Sequence, residues 1–178
     1  MSGHNKWSKI KHKKAATDSA RSKVFGKMAR LIAIESKKAN GDVTSAGLRA
    51  AIDSARGVNM PNDNIDRAIA KGTSSETANL EAMTYEMYGP GGTAILIDLV
   101  SDNKNRTAAE MRHLLSKLGS YELATPGSAA WAFTASPGGG YEPNSTVEIT
   151  ENDGEKLEKL IETLDDHDDV QNVYTNAS

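Results

Sequence analysis

Near residue 80 the spacing of apolar residues changes, and that change sets what this chain can fold into. Before it, apolar residues recur at a helical period. Val24, Phe25, Met28, Leu31 and Ile32 share one stripe of a helix over residues 17–39, interrupted by Glu35 and stopped by Asn40-Gly41. Leu48, Ala51, Ile52 and Ala55 mark a second helix over 45–58, ending before Pro61, which disfavours helical dihedrals at Met60. Ile65, Ala68 and Ile69 mark a third, which starts after Asn62 or Asp63 and closes at Gly72. Three short amphipathic helices with brief connections predict a bundle. Residues 73–80 read as a polar linker.

After residue 80, short apolar runs alternate with helical ones. "GGTAILIDLV" (91–100) predicts a strand, and "TAAEMRHLLSKLG" a helix with Thr107 and Glu110 at capping-box spacing. "SAAWAFTA" (128–135) reads as a strand with Ala129, Trp131 and Phe133 on one face. "STVEIT" (145–150) reads as another. "NDGEKLEKLIETL" is a helix with Leu157, Leu160, Ile161 and Leu164 inward, and "DDVQNVYTN" a final strand. This order, βαββαβ, predicts a ferredoxin-like domain: a four-stranded antiparallel sheet with two helices on one face. The expected class is α+β, with an extended basic arm over 1–15, a helical domain over 16–80 and the βαββαβ domain over 81–178.

Charge divides at the same place. Residues 1–80 hold 15 Lys or Arg against 7 Asp or Glu, and residues 81–178 hold 6 against 17, within a net charge of −3. Such asymmetry suggests that the first half meets a polyanion, although the halves can also attract each other. The stretch "SGHNKWSKIKHKKAATDSARSK" (2–23) has one acid, Asp18. Lys6, Lys9, Lys11, Lys13, Lys14, Arg21, Lys23, Lys27 and Arg30 can neutralise phosphates, releasing counterions. Trp7 and His12, set among them, can stack on exposed bases. Asn62, Asn64 and Arg67 sit where a helix N-terminus could present them to a ligand, with capping around Pro61 as the simpler account. Lys104 and Arg106 are the basic heads of "DNKNR". "YGPGG" (88–92) lacks phosphate-loop spacing and reads as a tight turn, although Tyr85 and Tyr88 could stack on a base.

Catalytic signals are poor. There is no Cys, the four His show no metal-ligand spacing, "DDHDD" (165–169) lacks that of a calcium loop, and no GxSxG appears. The expectation is no enzyme, no metal, no cofactor and no small-molecule substrate. No apolar run approaches the roughly 18 residues that cross a bilayer, and the N-terminus lacks the apolar core of a secretory signal. A cytoplasmic protein without a membrane partner is expected.

The arm, with "NMPNDNIDRAI", "YEMYGPGGTAILI", "DNKNRTAAEMRH" and "DDVQNVYTN", closely resembles the YebC family from Gly3 to Asn176. That family includes bacterial proteins named as probable transcriptional regulators and the mitochondrial translational activator of cytochrome c oxidase. The resemblance implies a helical N-terminal domain followed by α/β domains, and control of gene expression. Some members have been described as DNA-binding, while others look like ribosome-associated factors that help difficult nascent sequences, proline runs in particular. This chain lacks the further α/β segment that typical members carry between "WAFTA" and "VEIT", a gap bridged here by "SPGGGYEPN". Between the two functions, RNA on the ribosome is favoured over operator DNA. The arm with Trp7 suits irregular RNA, and no recognition helix with base-reading residues at its N-terminus is evident. A protein partner for the acidic half is the rival.

Overall fold

The computed structural model describes residues 18–178. The arm over 1–15, with Lys6, Trp7, Lys9, Lys11, His12, Lys13 and Lys14, lies outside the described residues. The class is α+β: helices first, then an antiparallel sheet with its own helices. Two compact units share the described residues, one reaching to Ala82 and including Val100–Lys104, the other holding Met83–Leu99 and Asn105–Ser178.

The helical unit contains α1 (Asp18–Ala39), α2 (Ala46–Gly57) and α3 (Asn62–Gly72). Helix α1 stops where Asn40 turns left-handed (φ 49°) and the Gly41 amide reaches back to the Ser36 carbonyl at 2.9 Å, a Schellman closure. Helix α2 ends the same way, with Asn59 at φ 60° and the Met60 amide donating to the Ala55 carbonyl at 3.0 Å. Ile32, Leu48, Ala51, Ile52, Ala55, Met60, Ile65 and Ala68 form the core. Glu35, which breaks the apolar stripe, accepts from Lys38 Nζ at 2.7 Å.

Helices α1 and α3 approach closely because their contact residues are small. A Cβ on Gly72 would lie 2.5 Å from the Ala33 carbonyl oxygen. Buried Ser36 donates to the Ile69 carbonyl at 2.8 Å. Residues 73–80 are more than a linker. A 3-10 turn (Ser75–Thr77) folds back on α3, where the buried Thr77 hydroxyl lies 3.1 Å from the carbonyls of Lys71 and Gly72. Lys37 Nζ donates to the carbonyls of Ala78 (2.8 Å) and Leu80 (3.0 Å).

The second unit keeps the expected pair of helices, α4 (Lys104–Gly119) and α5 (Glu151–Asp165), and a four-stranded sheet. Its strands are β1 (Glu81–Tyr88), β2 (Ala94–Ser101), β3 (Leu123–Ala124) and β6 (Val170–Thr175), in the order β3-β1-β2-β6. The first and last expected strands are present as β2 and β6, and the two middle ones are not in this sheet. Residues 128–135 instead form a 3-10 turn (Ala130–Ala132) and the short β4 (Phe133–Ala135), which pairs with β5 (Tyr141–Pro143) in a separate hairpin. "STVEIT" contributes a single bridge, Val147 to Ala177.

The physical reason lies in β2, which is apolar on both faces and so needs cover on both. Ile95, Ile97 and Leu99 pack with Met111 and Leu115 of α4 and Leu157, Leu160 and Leu164 of α5. Ala94 and Leu96 pack with Ala129, Ala132 and Phe133. The 129–143 segment thus lies over the sheet rather than within it. Tyr141 meets Tyr174 edge-to-face at 5.3 Å and fixes the hairpin on β6. Helix α5 opens on a cap in which Thr150 Oγ1 accepts from the Asp153 amide at 3.2 Å. Thr107 does not cap α4, which starts three residues earlier.

Candidate nucleic-acid interface

In the helical unit, α1, α3 and the segment ending at Leu80 enclose a groove of about 450 Å³. Its apolar lining is Phe25, Gly26, Ala29, Ala33, Met60, Ala68 and Leu80. Its cations are Arg30, Arg67 and Lys71, and Glu76 and Asp102 are its acids. The close α1–α3 contact at Gly72 brings basic residues of two helices to one apolar trough. Arg67 donates through Nε to the Asp63 carbonyl (3.1 Å) and through Nη2 to Asn64 Oδ1 (2.6 Å), which holds its guanidinium over the start of α3.

Of the residues singled out in the sequence, Arg30, Asn64 and Arg67 line this groove. Lys71 was missed, because only the packing of α3 on α1 brings it there. Arg21 and Lys23 are exposed on the first turns of α1, with Arg21 3.8 Å from Asp18, and Lys27 is half-buried. Asn62 is exposed at the first position of α3, where Pro61 is the capping residue and no side-chain cap forms. Lys104 is exposed at the start of α4.

Arg106 is paired within the sheet unit. Its Nη2 lies 3.1 Å from Asp169 Oδ2, which also accepts from the Thr107 hydroxyl at 2.7 Å. Asp169 is buried, so this pairing offsets its desolvation. Glu110, His167 and Asp169 bring ligand-type atoms within 4.8 Å of one another. The Asp169 amide donates to His167 Nδ1 at 3.2 Å, which fits the tautomer whose Nε2–H donates to Glu110 at 3.0 Å, so the three groups are already joined by hydrogen bonds. The cluster is a strut between α4 and the turn before β6, invisible in sequence because its two halves, at 106–110 and 167–169, lie 57 or more residues apart.

A second feature lies on the sheet unit. Glu86, buried on β1, accepts from the amides of Gly127 (2.6 Å), Ala129 (2.7 Å) and Ala130 (2.8 Å). Burial alone would raise its pKa, but the three amides outweigh it and hold the carboxyl below the ordinary range. The turn thus held displays Trp131 outward, 60% exposed, away from the buried Ala129 and Phe133 with which the expected strand shared one face. Trp131 Nε1 donates to Tyr88 Oη at 3.0 Å, and Tyr88 donates to the Ser128 carbonyl at 2.5 Å. Tyr85 is half-buried and packs against the core. "YGPGG" is a tight turn between β1 and β2, with Gly91 at φ 69° against Ile149.

A profile described as the TACO1/YebC protein N-terminal domain matches residues 5–75, and one described as the TACO1/YebC second and third domain matches 80–137 and 135–177. A "probable transcriptional regulatory protein" of Desulfatibacillum aliphaticivorans is 39% identical over 238 aligned positions, covering 99% of this chain and 96% of that protein. Since 238 positions face a chain of 178 residues, at least 60 of them have no counterpart here. A relative of the same description in Halothermothrix orenii is 41% identical over 187 positions, covering 100% of this chain and 71% of that one. The crystal structure of a conserved hypothetical protein from Aquifex aeolicus superposes with a TM-score of 0.83 at 29% identity, covering 95% of each chain.

Proposed function

The chain belongs to the TACO1/YebC family, and from that premise we propose that it is a nucleic-acid-binding regulator of gene expression acting on RNA in translation, in the cytoplasm. The observation that carries this is the basic, apolar-floored groove of the helical unit, on the unit that the cationic arm precedes. Charge supplies affinity without sequence information, and an apolar floor suits bases that are not already stacked in a duplex. The name shared by the relatives favours a second reading, a regulator that binds promoter DNA. No helix among the described residues is long and apolar enough to cross a membrane.

The test is parallel titration of ribosomal RNA fragments and duplex DNA at matched salt. Replacing Lys9, Lys11, Lys13 and Lys14 with Gln should remove most binding and leave the melting temperature nearly unchanged. Trp7→Ala should weaken RNA binding by roughly 1–3 kcal/mol while hardly affecting duplex DNA. Strong preference for one duplex over its scrambled sequence, untouched by Trp7→Ala, would establish the transcriptional reading instead.

A further inference from the structure

Gly26 stands inside α1, where glycine is the poorest ordinary helix former after proline. Glycines in helices usually answer a packing demand, and Gly72 does: a side chain there would strike Ala33 and Ser36. Gly26 answers none. A Cβ at this position would meet nothing within 4 Å, and its backbone is helical, open to any residue. What its missing side chain leaves is space, in the groove beside Phe25.

We infer that Gly26 keeps this groove open for one unpaired nucleotide of RNA, its base lying along Phe25 and the apolar floor and its phosphate meeting Arg67 and Lys71. The groove's volume of about 450 Å³ suits a ligand of nucleotide size and cannot admit a duplex. Mixed charge in the lining selects among small occupants. A bare anion would meet the cations and be repelled by Glu76 and Asp102. A nucleotide satisfies both, because its phosphate is anionic and the pairing edges of adenine, cytosine and guanine carry amino donors for a carboxylate. In a duplex each amino group spends one hydrogen on its pairing partner and shows the other only in a groove, so the whole pairing edge can enter the pocket only when the base is unpaired. The inference rests on the nucleic-acid reading above and gives it a position.

The experiment uses a short single-stranded RNA carrying one 2-aminopurine, titrated with the full chain at low salt. Trp7→Ala serves as the background, so that quenching by the arm is excluded. Stacking beside Phe25 should quench the fluorescent base. In that background Gly26→Met and Gly26→Gln should abolish the quench and weaken binding roughly 5- to 100-fold, while residual salt-dependent binding through the arm persists. Gly26→Ala, which fills little of the groove, should keep the quench. All three should melt at or above the temperature of their parent, which shows that they fold. Quenching that survives Gly26→Met, or that appears equally with the annealed duplex, would overturn the inference and leave RNA binding standing. Failure of every variant and of the unaltered chain to bind RNA would instead overturn the proposed function.

Discussion

Glu86 offers the sharpest test of how the sheet unit is held together. Its carboxylate is the acceptor for three backbone amides of the turn that lays Ala129, Ala132 and Phe133 over β2. Hydrogen bonds to a charged group contribute about 1.5–3 kcal/mol each, but three bonds to one carboxylate are not additive. Water can also reach Gly127, which is exposed. We expect Glu86→Ala to cost about 3–4 kcal/mol, from the lost bonds and a loosened turn. Glu86→Gln should cost less, about 1–2 kcal/mol. Its carbonyl can still serve Ala129 and Ala130, while its amide group would face the Gly127 N–H, donor against donor. The sign of the pH dependence follows from the lowered pKa. The unfolded chain takes up the proton first, near the ordinary value of 4.5, so the stabilisation is complete above that pH and is lost as pH falls through the lower folded value. The assay is urea unfolding of both proteins at pH 7 and at steps from about pH 5 down to about pH 3. Wild type should lose its advantage over Glu86→Gln across that window. A difference between the two that stays constant with pH would refute the role assigned to the charge.

Gly72→Ala should destabilise the helical unit by about 1–3 kcal/mol in thermal melting, because the new methyl strikes the Ala33 backbone, whereas Gly26→Ala should stabilise it by about 0.5–1 kcal/mol. Thr107→Val keeps the shape of a buried residue but removes the 2.7 Å bond to Asp169; unfolding should show a loss of about 1–2 kcal/mol, and equal stability would mean that Arg106 alone suffices.

The helices were legible because their apolar residues recur at a strict period and their stops are local, as at Asn40-Gly41 and before Pro61. The first strand was readable too: Met83, Tyr85 and Met87 alternate along β1 and pack into or against the core, yet only its end, 88–92, carries a sequence assignment, the turn. The "AAWAF" segment misled for the opposite reason. Its alternation mimics a strand, yet Trp131 finds its partner in Tyr88 and turns outward. The better clue was β2, whose apolar run from Ala94 to Ile97 occupies both faces and demands cover on each. Arg30 and Arg67 were marked as cations one by one, but their meeting around Phe25, like that of Arg106, Thr107 and Asp169, is long-range and has no local trace. Gly26 drew no notice because a glycine's purpose depends on what its absent side chain would have touched.

The two profile matches meet at residues 135–137, at the turn between β4 and β5. There the strands are closed by a 2.9 Å bond from the Ser136 amide to the Gly140 carbonyl, so the chain leaves and re-enters the sheet unit at nearly one point. A segment spliced in at such a neck stretches nothing on either side, and the entropic cost of its length grows only logarithmically. The hairpin is thus a port: a reporter domain inserted between Ser136 and Gly140 should leave the strands on either side in place.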